Sequence, residues 1–135
     1  MIHNLLFSSR TLLAALLLLS GMACHAETST ILTIAPTELS RRMKEPNPPV
    51  IIDVRTRDEY SSGRIDTALN LPHDELERRL GEIPGSKSSE IVVYCRSGKR
   101  ARIAENLLVE KGYTNIKDLV GHWQGWNVQA KNLFQ

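Results

Sequence analysis

The sequence predicts an α/β domain, with a mostly parallel central sheet flanked by helices on both faces. Three observations carry this expectation. The runs Val50-Ile51-Ile52-Asp53-Val54 and Ile91-Val92-Val93-Tyr94 are rich in β-branched residues, the pattern of strands buried on both faces of a parallel sheet. Short apolar runs alternate along the chain with segments carrying helix-capping and helix-stopping residues. The 135 residues, 41% hydrophobic and 24% charged, supply one core and leave no room for a second.

The elements follow in order. Ile31 to Ile34 reads as a first strand, and Pro36 suits the first turn of a helix reaching about Met43. Glu45-Pro46-Asn47-Pro48-Pro49 cannot continue that helix, because each proline lacks an N–H and pushes its predecessor to extended geometry. The Val50 to Val54 strand comes next. Thr56 and Glu59 have capping-box spacing, which predicts a short helix from Arg57 to Ser61 stopped by Gly63. Ala68 to Leu71 reads as a strand closed by Pro72. Asp74 to Leu80 reads as a helix, with Leu76 and Leu80 on one face and Gly81 and Pro84-Gly85 ending it. After the Ile91 to Tyr94 strand, Cys95-Arg96-Ser97-Gly98-Lys99-Arg100 forms a loop. A helix then runs from Ala101 to about Lys111, its apolar face made by Ile103, Ala104, Leu107 and Leu108, with Gly112 as terminator. Ile116 to Val120 supplies a last strand and His122 to Lys131 a last helix. Trp123 and Trp126 share one side of that helix and are expected in the core.

The N-terminus has a separate reading. Arg10 precedes an apolar run, Leu12 to Leu19, that is about half the ~20 residues a bilayer-spanning helix needs. Ala23-Cys24-His25-Ala26 behind it has the small residues of a signal-peptidase site. Residues 1–26 are therefore expected to be a signal peptide and 27–135 the domain, exported to the periplasm and without membrane insertion once the signal is removed. The alternatives are a lipoprotein acylated at Cys24 and a retained N-terminal anchor helix. Removal of 1–26 takes away Arg10 and no acid, leaving 16 basic and 15 acidic residues. A domain so close to neutral, with no basic stripe interleaved with aromatics, gives nucleic-acid binding no support.

Cysteine usage points to chemistry. The chain has two cysteines, and Cys24 leaves with the signal or becomes lipidated, so Cys95 stands alone. An unpaired thiol in an oxidising compartment is either an inert core residue or one whose reactivity is its purpose. Cys95 falls where a buried strand hands over to a helix, at the carboxyl edge of the sheet where ligand sites of such folds collect. Backbone N–H groups there lack intrahelical partners, the helix end carries partial positive charge, and Arg96, Lys99 and Arg100 add formal charge. Each effect favours thiolate over thiol. Gly98 allows the positive φ by which a loop curls around an anion. Three cations and a glycine are poor company for an inert thiol, so Cys95 is the candidate nucleophile, with Arg96, Ser97, Gly98, Lys99 and Arg100 as the cradle for a small oxyanion. His73 and His122 are far apart in sequence and are expected on the surface or in turns. With one cysteine they make no recognisable ligand set, so no metal and no other cofactor is expected.

These residues resemble the rhodanese family. Asp53-Val54-Arg55 with Glu59-Tyr60 and Gly63-Arg64-Ile65 looks like its first signature, and Ala68-Leu69-Asn70-Leu71-Pro72 like the next. Tyr94-Cys95-Arg96-Ser97-Gly98-Lys99-Arg100 is similar to its active-site loop, and Gly112-Tyr113 with Leu119-Val120-Gly121 and Trp126 to its closing segment. The likeness runs from about Ile31 to Trp126. Arg64 stands where a histidine is commoner, and His122 where a second glycine is common.

The resemblance implies a single rhodanese-like domain and a thiosulfate sulfurtransferase. Cys95 would take the outer sulfur of thiosulfate as a persulfide and pass it to a thiol or cyanide, or to a protein acceptor. Arg100 is the residue expected to close the cradle, and Asp53 is read as a carboxylate tying loops together. Two rivals remain. A cysteine-dependent phosphatase or arsenate reductase would use a longer loop than the Cys-x4-Arg found here. A persulfide or redox relay serving a specific partner would share the same residues.

Overall fold

The computed structural model describes residues 31–133. The expected signal peptide, 1–26, and Cys24 within it lie outside the described residues. Five strands form one sheet: β1 (Leu32–Ile34), β2 (Val50–Asp53), β3 (Leu69–Asn70), β4 (Ile91–Tyr94) and β5 (Ile116–Leu119). Their order is β1-β5-β4-β2-β3, and every neighbouring pair is parallel. Three α-helices lie between strands, α1 (Pro36–Arg42), α2 (Arg57–Ser61) and α3 (Lys99–Glu110), and α4 (His122–Leu133) follows β5.

Alternation along the two central strands divides the core. Ile52 and Val54 of β2 and its end, with Ile91, Val93 and Cys95, face Ala101, Ala104 and Leu108 of α3. Ile51, Val92 and Tyr94 point the other way, towards Leu39 of α1, Tyr60 of α2, and Trp123 and Trp126 of α4. Both tryptophans thus join the core, half-buried at its margin. Helices cover both faces, so the central strands β2 and β4 are hydrophobic in succession up to Asp53 and Tyr94 rather than alternating with polar residues.

Three local expectations are corrected. The segment read as a helix from Asp74 is a 3-10 helix, Leu76–Glu82. Its tighter winding eclipses residues three apart, and the Arg79–Glu82 ion pair lies along that row. On α3, Ile103 is 50% exposed and does not belong to the buried face. Ala101, Ala104 and Leu108, at i, i+3 and i+7, bring the helix close to the sheet, which turns Ile103 outward and carries Glu105 inward. That helix begins at Lys99, two residues before Ala101, so part of the expected loop is helical.

Register positions the site. Asp53 pairs with both Tyr94 and Asn70, so β2, β3 and β4 end level with one another. The residues that follow, Val54, Arg55 and Cys95, emerge together at the carboxyl edge.

Candidate active site

Cys95 directly follows β4 and is 1% exposed. It is a free cysteine among the described residues. The chain turns at Gly98, whose φ of +117° is open to glycine and strained for any residue with a Cβ. This turn aims the Gly98 N–H at the Cys95 Sγ, 3.0 Å away. Gly98 is also the N-cap of α3, which has no side-chain cap and no acidic residue in its first turn. Helix N-termini ordinarily acquire a polar side chain to accept their free N–H groups. Here the acceptor is the sulfur.

The carbonyls of the same loop are held from the opposite side. Trp123 N–H donates to Cys95 O at 3.0 Å and Gln124 N–H to Arg96 O at 3.4 Å, so the first turn of α4 takes up the loop's acceptors. Arg96, Ser97 and Lys99 are exposed around the mouth, and Gly98 and Arg100 are half-buried. The Arg100 guanidinium is committed to a two-point pair with Glu59 of α2, at 2.6 and 2.9 Å. Glu59 also closes the capping box with Thr56 that begins α2. The hydrogen bond from Arg100 first holds its carboxyl down to about 2, opposed by burial and helped by the hydrogen bonds with Thr56. Arg100 is raised above the ordinary arginine value, by Glu59 first, with a contribution from the charge of Cys95. It is therefore a strut between α2 and the loop as well as a cation beside the sulfur.

Beneath the loop lies a second layer that composition does not reveal. Asp53 is fully buried, and it accepts from Arg55 Nη2 at 2.6 Å, from Nε at 2.9 and 3.0 Å, and from the Arg55 backbone N–H at 2.9 Å. Arg55, 2% exposed, also donates to Gly63 O at 2.7 Å, and its guanidinium carbon stands 4.5 Å from the Trp123 ring centroid and 5.5 Å from that of Tyr94. Burial works against the charge, but the hydrogen bonds and charge of Asp53 outweigh it and the pKa of Arg55 is raised. Asn70 Nδ2 adds hydrogen bonds to Asp53 O and Arg55 O, both at 3.0 Å. The expectation that Asp53 ties loops together matches this arrangement. Arg55 is the partner that sequence reading did not single out, although its i+2 position puts it on the same side as Asp53. Arg64 is exposed and stacks over Tyr60, 4.7 Å from the centroid.

His122 corrects an expectation. It is 7% exposed rather than on the surface, with its ring against Gly98. Its spacing of four from Asp118 was the available signal, since a last strand followed at once by a helix folds such a pair together. His73 is half-buried.

The rhodanese-like domain family model matches residues 35–129, which include all of the site just described. The chain belongs to the rhodanese-like domain family. It is 36% identical over 105 residues to a mitochondrial protein of Schizosaccharomyces pombe that carries the thiosulfate sulfurtransferase name, covering 70% of this chain and 74% of that one. To the thiosulfate:glutathione sulfurtransferase of Homo sapiens it is 33% identical over 88 residues, or 56% of this chain and 76% of that one. A solved structure of a human single-domain sulfurtransferase superposes with a TM-score of 0.67 at 28% identity, over 74% of this chain and 98% of the other. The five-stranded parallel sheet with helices on both faces is the single-domain form of this rhodanese-like fold.

Proposed function

We propose that this protein is an exported thiosulfate sulfurtransferase that carries sulfur as a persulfide on Cys95. The observation that carries the reading is the Gly98 N–H directed at the Cys95 Sγ, at 3.0 Å, on an otherwise uncapped helix N-terminus. A sulfur that serves as the helix cap is stabilised as an anion, both as the starting thiolate and as the persulfide. The names of the similar proteins support thiosulfate as donor and a thiol such as glutathione as acceptor.

The first step is attack of the Cys95 thiolate on the outer sulfur of thiosulfate. A new S–S bond forms, the old one breaks, and sulfite leaves with the bonding pair. Arg96, Ser97 and Lys99 at the mouth, with Arg100 behind them, receive the sulfonate end. In the second step a thiolate or cyanide attacks the outer sulfur of the persulfide, and Cys95 departs as thiolate. No net redox change occurs at the protein, which is double-displacement covalent catalysis. The N–H donors and the helix end act on the anion in every state, so they need no reorganisation between steps.

The test is intact mass of the mature protein before and after thiosulfate, with cyanide added last. A gain of about 32 Da, one sulfur atom, that cyanide removes and that Cys95→Ser abolishes is the expected result. The starting mass also reads whether residues 1–26 have been removed by cleavage after Ala26, as against acylation at Cys24 or a retained N-terminus. No gain with the thiol still free sinks the thiosulfate assignment, and points to a carrier loaded by a specific protein.

A further inference from the structure

Behind the Cys95 loop, between α3 and β5, is a cavity of about 480 Å³ whose walls include Ser97, Gly98, Glu105, Asp118 and His122. Glu105 is 4% exposed, with its carboxyl carried inward by the turn of α3 described above. Glu105 Oε1, Asp118 Oδ1 and His122 Nδ1 are buried without a hydrogen-bond partner. Buried polar atoms left this way destabilise a fold, and a group of them at one place calls for an explanation. The three are not arranged to hold a metal ion. His122 is held at φ +51°, a conformation that strains an imidazole-bearing residue and suits glycine.

What this cluster touches is the sulfur cradle. A Cβ built on Gly98 would stand 2.8 Å from His122 Nε2 and 3.4 Å from its Cδ2, so the ring lies directly behind the glycine that reaches Cys95. The same Nε2 is 3.6 Å from Asp118 Oδ1. A continuous row of contacts therefore runs from α3 and β5 through the imidazole to the N–H that meets the sulfur.

We propose that His122, backed by the paired carboxyls of Glu105 and Asp118, is a positioning residue that sets where the Gly98 N–H stands against Cys95. The protonation of the pair supports this. Burial first, and Asp118 second, push the Glu105 carboxyl up to about 8, with Arg102 acting in the other direction. Around neutral pH the Glu105 carboxyl thus keeps its proton, and burial lowers the pKa of His122 so that the imidazole is neutral. Lys99 and Arg102 of α3, Asp118 of β5 and Cys95 across the loop are the other charged or titratable groups facing this cluster. Above about pH 8, Glu105 loses its proton and two like charges face each other in a buried space. Their separation moves the imidazole, and Gly98 moves with it.

The sulfur-transfer part of the inference rests on the persulfide reading, so its test has a second readout. Alkylation of Cys95 by iodoacetamide is followed by mass on the mature protein between about pH 6 and 10, for the parent, Glu105→Gln and His122→Gly. Besides the ionisation of the thiol itself, the parent profile shows an inflection near 8 that Glu105→Gln removes, because the amide keeps the shape of the carboxyl without a titratable proton. His122→Gly relieves its backbone strain and folds. It loses the same inflection and lowers kcat for sulfur transfer about tenfold, with KM changed less than about twofold. A Glu105→Gln profile that overlays the parent, or His122→Gly turning over at the parent rate, overturns the proposal. A parent that never forms a persulfide while the alkylation profiles differ as stated removes the sulfurtransferase reading alone.

Discussion

Replacing Gly98 by alanine puts the geometry of the loop to a quantitative test. The new methyl meets two obstacles of different origin. At φ +117° the backbone itself resists a Cβ, a strain of about 1–3 kcal/mol. The methyl also arrives 2.8 Å from His122 Nε2, and such overpacking costs about 1–3 kcal/mol when the neighbour cannot withdraw. His122 can relieve this only by moving its ring into the cavity behind it, away from a backbone fixed at the start of α4. Gly98→Ala is therefore expected to lose about 3 kcal/mol in urea unfolding, a large share of the ~5–15 kcal/mol that holds a domain of this kind. The double variant with His122→Gly isolates the steric part. In that background the alanine should cost at least about 1 kcal/mol less, a coupling energy that contact with the ring predicts and backbone strain does not. Gly98→Ala within about 0.5 kcal/mol of the parent, or an identical cost in both backgrounds, would refute the reasoning.

Other outcomes follow from the layers around this turn. Asp53→Asn leaves the buried Arg55 guanidinium without its counter-charge, and should cost about 3–5 kcal/mol in chemical denaturation; Asp53→Asn with Arg55→Met should recover part of that loss. The Glu59 carboxyl is held down to about 2 in the fold, against an ordinary value of 4.5. The stability it contributes is thus present above 4.5 and lost as the pH falls through 2. Glu59→Gln should remove that acid-limb slope from a pH series of unfolding free energies, and lower stability at neutral pH by about 1 kcal/mol, because solvent screens this half-exposed pair.

Much of this molecule can be read from local chemistry. The runs Val50-Ile51-Ile52 and Ile91-Val92-Val93 admit little but buried parallel strands. Thr56 with Glu59 forms the capping box that the spacing announces. Cys95 stands at the strand-to-helix junction, with Gly98 turning the chain behind it. What could not be read is which charges go inside. Arg55 looks like a loop cation until β2 and β4 are seen to end level and place Tyr94 and Trp123 over it. Glu105 looks like a solvent-facing residue of an amphipathic helix, and becomes buried because the small side chains of Ala101 and Ala104 choose the contact face. His122 looks like a turn residue, and its burial depends on α4 folding back against Gly98. Each of these depends on the packing of elements distant in sequence, which periodicity does not encode.

The bonds from the first turn of α4 to the carbonyls of Cys95 and Arg96 make the final helix a condition for the shape of the loop. Until residues beyond 121 have been made and docked, the loop's peptide groups are free to rotate, and a sulfur at position 95 lacks its settled environment. The geometry of the loop is then the last part of the fold to be settled, arriving with the helix that begins at His122.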